Sequence, residues 1–456
     1  MTIRFYKAFL AFIIIGVWSS AIFELGFTYF IQRLGFSLFR LFGALLICNS
    51  LFYLVVIRKG KLLGRMFLQK HKVLVFTYVI YWLISWLGIL YSSDADRGFL
   101  ICLQYFWYTI LAALTILLLL DFSMRKRKTI FLFIGLLSAF VMFYFSAIAF
   151  LGGVPYSILA ERQGRFSLSI FNDYNVFTYS LLLSVLLIFT YVGNHYSHIS
   201  FIELLLYCIL ILSIAILGVI SGSRRTIVLY CPIAFITPFV LLGLRSIRRF
   251  VGKVFIFAVL ITIVLISALN RSHSEVTTET FFGHLDRLAL IDLKKRISRG
   301  LGFLTGYYTE TDRIERWRKA WNIAGEYSVT ELFWGRGTRS YFSESEFTRS
   351  DGSRDSPHNF LLSALLEGGA IKLVFLLLFV TVWLRHIIIL TKDSNIWIGN
   401  FLIVSNSLWI LTVLISGEEF FYSKQFLLIF AAYAALWDNA RDKNVLVTYA
   451  GAAIRL

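Results

Sequence analysis

Charge is scarce in this chain. Only 15% of its 456 residues are Asp, Glu, Lys or Arg, while 58% are hydrophobic and 17% aromatic. That shortage excludes a soluble domain that hides its apolar surface from water by folding alone. Cysteine is scarce too. Cys48, Cys102, Cys208 and Cys231 each fall within an apolar run and none lies in the long polar stretch of the chain. Their placement gives no disulfide framework, and no Cys/His spacing suggests a metal site. The thiols read as small buried apolar groups. Also missing are a phosphate-binding P-loop and any internal repeat.

What is present is a succession of long apolar runs. A helix that crosses a bilayer needs roughly 20 mostly apolar residues. Runs of that kind are read at about 8–30, 34–57, 73–92, 98–122, 129–152, 174–193, 202–221, 226–244, 251–270, 359–384, 396–416 and 424–438. Twelve spans are therefore expected. The first run follows Met1–Lys7 in the manner of a leader, but it is long, contains Glu24 and lacks a small-x-small cleavage site, which predicts a retained helix.

The formal charge of +18 is explained by where the cations sit. With a cytoplasmic N-terminus they collect on alternate loops: Arg58 to Lys72, Arg125 to Lys128, Arg245 to Lys253, Arg385 with Lys392, and Arg441 with Lys443. This positive-inside pattern predicts a multi-pass protein with both termini cytoplasmic. It leaves no reason to expect a nucleic-acid partner. The external segments are then Ser92–Arg97, Tyr156–Asn172, Arg271–Pro357 and Glu418–Ser423. The expected organisation is residues 1–270 with spans one to nine, a large outer loop over 271–357, and residues 358–456 with spans ten to twelve and the C-terminus.

Two stretches of the large loop have helical periodicity. Leu285 to Leu304 alternates Leu285, Leu288 and Ile291 with Lys294, Lys295 and Arg299, as expected of an interfacial helix on anionic head groups. From Asp312 to Tyr327, an apolar stripe of Ile314, Trp317, Trp321 and Ala324 is expected, with Arg313 and Arg316 on another face. Gly335 to Ser356 is Gly- and Ser-rich and reads as an irregular connection ending in Pro357, where the next helix begins.

Three constellations face the outer side. Ser221-Gly222-Ser223-Arg224-Arg225 places two arginines against the positive-inside preference. Their planar donors suit phosphate oxygens, although snorkelling to lipid phosphates is the simpler use. In Ser356-Pro357-His358-Asn359, an imidazole at a helix mouth suits proton acceptance from a hydroxyl; a plain interface histidine is the bland alternative. Arg162-Gln163-Gly164-Arg165-Phe166 precedes Asn172-Asp173-Tyr174-Asn175, where Asp or Asn can simply cap a helix. Asp94-Ala95-Asp96 has the D-x-D form of metal-dependent glycosyltransferases but reads as turn chemistry. Glu24, Glu367 and Lys372 lie in or near spans, where ionisable groups are costly and often functional. On a straight helix Lys372 stands about 21 Å from His358, which argues against a shared site.

Taken in order, these elements resemble the O-antigen ligase and polymerase superfamily of bacterial membrane glycosyltransferases. The resemblance covers roughly residues 160–375. It rests on Arg165-Phe-Ser with Asn175, the Ser223-Arg224 turn, Arg313 four residues before Trp317, Gly335-Arg-Gly337 with Phe342, and His358-Asn359 with Gly369. Lys372 departs from the Gly, Thr or Tyr common there in ligases, and Leu168 stands where glycine is common.

The resemblance implies an all-α polytopic fold, GT-C-like, with about twelve transmembrane helices and one large periplasmic loop containing short helices, in a bacterial inner membrane. It implies metal-independent, inverting transfer, with no cofactor, of a glycan from undecaprenyl diphosphate to a hydroxyl of an acceptor glycan or of lipid A-core. Arg224 and Arg313 would then be catalytic cations with His358 the base, and Arg165, Arg225, Arg316 and Asn359 would bind substrate among membrane lipids. A polymerase is slightly favoured over a ligase. A lipid-linked oligosaccharide flippase is the reading from another class, disfavoured because transporters are often built from repeats around a midplane site.

Overall fold

A computed structural model describes residues 3–23, 37–56, 60–150, 180–181, 183–188, 190–191, 312–344, 347, 356–357, 359–393, 403, 405–406 and 424–436. Among the described residues there is no strand. The helices are α1 (Ile3–Phe23), α2 (Leu38–Val56), α3 (Gly60–Leu87), α4 (Ala95–Leu120), α5 (Met124–Phe150), α6 (Asp312–Gly325), α7 (Val329–Trp334), α8 (Phe360–Asp393) and α9 (Lys424–Leu436), with short 3-10 turns at Gly88–Tyr91 and Ser340–Ser343.

Among the described residues, six segments are long and apolar enough to cross a membrane: Phe5–Ile22, Leu38–Val55, His71–Tyr91, Ala95–Leu120, Met124–Tyr144 and Phe360–Ile389. They match the first five and the tenth of the expected runs, and α9 covers most of the twelfth. The sixth to ninth and eleventh runs lie largely outside the described residues, as does the large loop before residue 312. Side chains such as Phe76 and Leu90, 59% and 83% exposed, stand on the outside of these helices, where hydrocarbon rather than water is the fitting solvent.

Two expected loops turn out to be helical. The basic stretch from Arg58 to Lys72 is helix from Gly60 onward, and α3 continues to Leu87 through one non-helical residue, His71 (φ −116°, ψ 22°). The sequence explains this: Leu62, Leu63, Met66 and Phe67 recur at helical spacing between Lys61, Arg65 and Lys70, an amphipathic pattern that suits a helix as well as a basic loop. Arg125 to Lys128 likewise forms the first turn of α5. Its cations terminate other helices. Arg127 donates to the carbonyls of Leu120 and Phe122, both at 2.8 Å, and of Ala435 at 2.9 Å, satisfying the ends of α4 and α9. Lys7 pairs with Asp121 at 2.6 Å. The starts of α1 and α5 and the ends of α4 and α9 therefore share one end, and the Ser92–Asp94 turn stands at the other, about 39 Å away along α4.

The chain forms two compact units, residues 1–17, 42–130 and 310–456 in one and 18–41 and 131–309 in the other. In the second, Ser19 Oγ donates to the Ile134 carbonyl at 3.3 Å, and Gly135 admits the Ser184 carbonyl where a Cβ would collide. In the first, α8 packs along α3, α9 along α4, and α6 and α7 lie against α8. Trp383 of α8 is fully buried, stacked on Phe430 at 5.0 Å, with its indole N–H donating to Asn406 Oδ1 at 2.7 Å.

Candidate functional site

The described part of the site is built on α6, α7 and the first half of α8. The buried side of α6 is Ala320, Ile323 and Ala324, with Trp317 partly buried beside Tyr341, Phe347 and Leu366. The expected stripe is thus rotated, and Trp321 is 61% exposed. Its spacing placed it in the apolar stripe, but the buried side of the helix is Ala320, Ile323 and Ala324. Arg313 and Arg316 lie in the first turns of α6, which begins at Asp312.

Helix α7 starts at a capping box. Ser328 Oγ accepts from the Glu331 N–H at 3.3 Å, while Glu331 Oε2 accepts from the Ser328 N–H at 2.8 Å. These bonds, backbone first, together with Arg336, hold the Glu331 carboxyl below its ordinary range. The Ser-Val-Thr-Glu sequence was enough to foresee this cap.

After α7 the chain enters a break in α8. Gly368 (φ −131°) and Gly369 (φ 61°) interrupt the helix and release carbonyls that would otherwise be bonded within it. The Gly335–Gly337 loop takes them up: Arg336 N donates to the Leu366 carbonyl at 3.0 Å and Gly337 N to the Glu367 carbonyl at 2.9 Å. The approach is backbone on backbone. A Cβ on Gly335 would strike Glu367, and one on Gly369 would strike the Phe333 carbonyl. On its other side the same loop meets the end of α3. Thr338 Oγ1 donates to the Ser85 carbonyl at 2.6 Å, Thr338 N to the Gly88 carbonyl at 3.2 Å, and Ser92 Oγ to the Thr338 carbonyl at 2.7 Å.

This lock brings three charges together, two of them buried and the third, Arg339, partly so. Lys372 Nζ donates to Glu367 Oε2 at 2.5 Å, with the side chains 0% and 1% exposed. Glu367 Oε1 accepts from the Arg339 N–H at 3.1 Å, and the Arg339 guanidinium lies 3.9 Å away. Arg339 donates to the hydroxyls of Tyr341 at 2.7 Å and Tyr105 at 3.0 Å, and Lys372 lies over the Tyr81 ring at 5.1 Å. Arg339 holds a left-handed backbone (φ 66°, ψ 10°), a conformation that persists where its surroundings over-determine it. His358 lies outside the described residues, so the distance from it to Lys372 stays an expectation, but the helix that carries Lys372 is not straight. The double-glycine break folds Lys372 back onto Glu367, the residue just before it, and so into contact with the Gly335–Arg339 loop.

At the surface a second charge cluster borders a cleft. Arg336 donates from Nε to Glu331 Oε1 at 3.0 Å and from Nη1 to Glu344 Oε1 at 2.8 Å, while its guanidinium lies over the Tyr327 ring at 4.5 Å. Burial pushes the Tyr327 phenol up from its ordinary value. The cleft encloses about 410 Å³ between Tyr91, Ser93, Gly335, Arg336, Ser343 and Glu344.

Of the residues singled out from sequence, Arg313, Arg316 and Asn359 fall on described elements. Asn359 caps α8: its Oδ1 accepts from the N–H groups of Leu361 at 2.9 Å and Leu362 at 3.3 Å. Pro357 before it is buried. His358, Arg165, Arg224 and Arg225 lie outside the described residues. Asp94 and Asp96 serve α4, at its N-cap and in its first turn, and Asp94 pairs with Arg97 at 3.6 Å. The charged residues that sequence reasoning did not bring in are Arg336, Arg339, Glu331 and Glu344. The Gly335-Arg-Gly337 pattern pointed to Arg336, and the Ser-Val-Thr-Glu capping pattern to Glu331.

Residues 208–379 match the family model described as O-antigen ligase. The match runs through Arg224, Arg225, α6, α7 and the break in α8, and leaves out Arg165 and the first five spans. No curated protein matches the chain. The family match supports the O-antigen ligase/polymerase superfamily, points to a function of that type, and agrees with a multi-pass membrane protein.

Proposed function

We propose that the protein transfers a glycan from undecaprenyl diphosphate to a hydroxyl of an acceptor glycan at the periplasmic face of a bacterial inner membrane, as a polysaccharide polymerase. The observation that supports the transfer chemistry is the O-antigen ligase match over residues 208–379, a stretch that contains Arg224, Arg313 and His358. The acceptor oxygen bonds to the anomeric carbon as the bond from that carbon to the diphosphate oxygen breaks. Displacement from the opposite face inverts the anomeric centre. His358 takes the acceptor proton, and undecaprenyl diphosphate departs with the bonding electron pair. Fixed cations meet the charge that develops on it: Arg224 and Arg313, with Arg165, Arg225, Arg316 and Asn359 holding the substrates. No step requires a metal or a nucleotide.

The description of the matched family favours a second reading, ligation to lipid A-core. Both acceptors are hydroxyls, so the chemistry is shared and the acceptor site decides. The test is reconstitution with a defined undecaprenyl-diphosphate glycan, with and without lipid A-core. Polymer formed from the lipid-linked glycan alone supports the polymerase; product that appears only with lipid A-core supports the ligase.

A further inference from the structure

The cleft beside Arg336 is separate from the buried Glu367–Lys372 pair and is not used by the transfer chemistry above. We propose that it is a saccharide subsite that takes a neutral or amino sugar of the acceptor glycan. The proposal rests on the glycosyl-transfer reading for the identity of that glycan, and on the cleft itself for its chemistry.

Its size, about 410 Å³, falls within the roughly 300–1,000 Å³ of small-ligand pockets. One wall is aromatic. Tyr91 is 44% exposed, its hydroxyl donates to the Trp334 carbonyl at 2.8 Å, and this bond holds the ring in place. Such rings offer an apolar face together with a polar edge, the combination that the C–H face and hydroxyl rim of a pyranose can meet.

The other wall presents acceptors and hydroxyls. Ser93 and Ser343 share a hydrogen bond between their hydroxyls, and Ser343 Oγ also donates to the Ser340 carbonyl at 2.6 Å. Glu331 and Glu344 flank Arg336, which places two carboxylates and one guanidinium at the cleft. Carboxylates accept from sugar hydroxyls and attract ammonium groups, whereas they repel the carboxylates of acidic sugars. These groups are held before any ligand arrives. Glu331 is fixed by its capping box, Arg336 by two carboxylates and a ring, and Ser93 by Ser343, so little ordering is left for binding to impose.

Location agrees with this use. The cleft stands at the Ser92–Asp94 turn, beyond the end of the His71–Tyr91 span, where a head group carried on a lipid would meet the protein. The wall formed by Gly335 and Arg336 is the outer edge of the loop locked into the α8 break.

The test uses the full-length protein in lipid nanodiscs. The probe is the oligosaccharide freed by mild acid from the polyprenyl-diphosphate pool of cells that make the protein, read by saturation-transfer NMR. Binding is expected to weaken at least tenfold in Tyr91→Ala and to vanish in Ser93→Trp, which fills the cleft from an exposed position. A trigalacturonate competitor should not displace the probe. Equal probe binding by wild type, Tyr91→Ala and Ser93→Trp, or no binding by wild type, overturns the subsite. Because no turnover is needed, the two readings fail separately. Tyr91-dependent binding by a protein that forms no glycosidic bond keeps the subsite and removes the transfer. Transfer with an acceptor KM unchanged in Tyr91→Ala does the reverse.

Discussion

Lys372 and Glu367 stand on opposite sides of the break in α8, yet their side chains meet at 2.5 Å with almost no solvent contact. Removing one member of a buried pair typically costs about 3–5 kcal/mol, because the other charge stays behind without its partner. The two members are not equivalent here, since Glu367 also faces Arg339. Lys372→Met leaves Glu367 with that second cation. Glu367→Gln leaves two cations sharing no carboxylate. Thermal unfolding in detergent should therefore rank wild type above Lys372→Met and Lys372→Met above Glu367→Gln, with the double variant above Glu367→Gln alone. Identical midpoints for the two single variants would contradict the shared-carboxylate account.

The backbone lock gives a prediction about glycines. Gly369→Ala places a Cβ against the Phe333 carbonyl at a positive φ, so the loop must withdraw from the α8 break. The folded yield should drop sharply and the remaining protein should expose the loop to protease. Gly325→Ala, at the end of α6 with open space around it, is the control: it should be neutral or add about 0.4–1 kcal/mol by restricting the unfolded chain. Equal proteolysis of the two variants would show that the loop is not held by this approach.

Glu331 sets a pH dependence. Its carboxyl is held below the ordinary range in the fold, so the unfolded chain takes up the proton first as pH falls. The stability it contributes is then complete above the ordinary carboxylate range and is lost as pH drops below it. Thermal midpoints measured from pH 7 down to pH 3 should fall less steeply for Glu331→Gln than for wild type. The same slope for both would remove the capping box as the source. The effect is small, since Glu331 is near the surface.

Much of the fold was legible because hydrocarbon thickness imposes a length on every apolar run, and five consecutive runs and a later one appear as helices near their expected places. The turn at Asp94, where Ser92 Oγ accepts from the Asp94 N–H, and the start of α8, capped by Asn359 after Pro357, follow from side-chain to backbone bonds that are local in sequence. The break in α8 was not legible. Gly368 and Gly369 sit inside an apolar run that reads as one helix, and what opens it is a loop more than thirty residues earlier whose N–H groups replace the missing partners. The contact between Lys372 and Glu367 was hidden for the same reason. Trp321 shows a different error, where helical spacing suggested burial while the packing selected the alanine next to it.

The catalytic proposal makes its own forecast at two positions. Arg224→Ala should abolish transfer and Arg224→Lys should retain little, because lysine keeps the charge but loses the two-pronged geometry. His358→Gln keeps a hydrogen bond without proton transfer, and loss of a general base typically lowers turnover by about 10²- to 10⁴-fold. Donor binding should persist in His358→Gln, because the imidazole serves the acceptor proton and not the diphosphate. Single-turnover assays on purified, folded variants separate the two effects, and normal rates in either variant would withdraw that residue from the mechanism.

The central claim is that a glycosidic bond forms at the expense of the bond to the lipid diphosphate. It is tested most directly in proteoliposomes given purified undecaprenyl-diphosphate oligosaccharide, chelator and no nucleotide, with products followed by mass spectrometry and anomeric NMR. The account predicts one undecaprenyl diphosphate released for each new glycosidic bond, with the new linkage inverted relative to the donor. Movement of intact lipid-linked glycan across the bilayer with no released diphosphate and no new linkage would contradict it, and would identify a transporter instead.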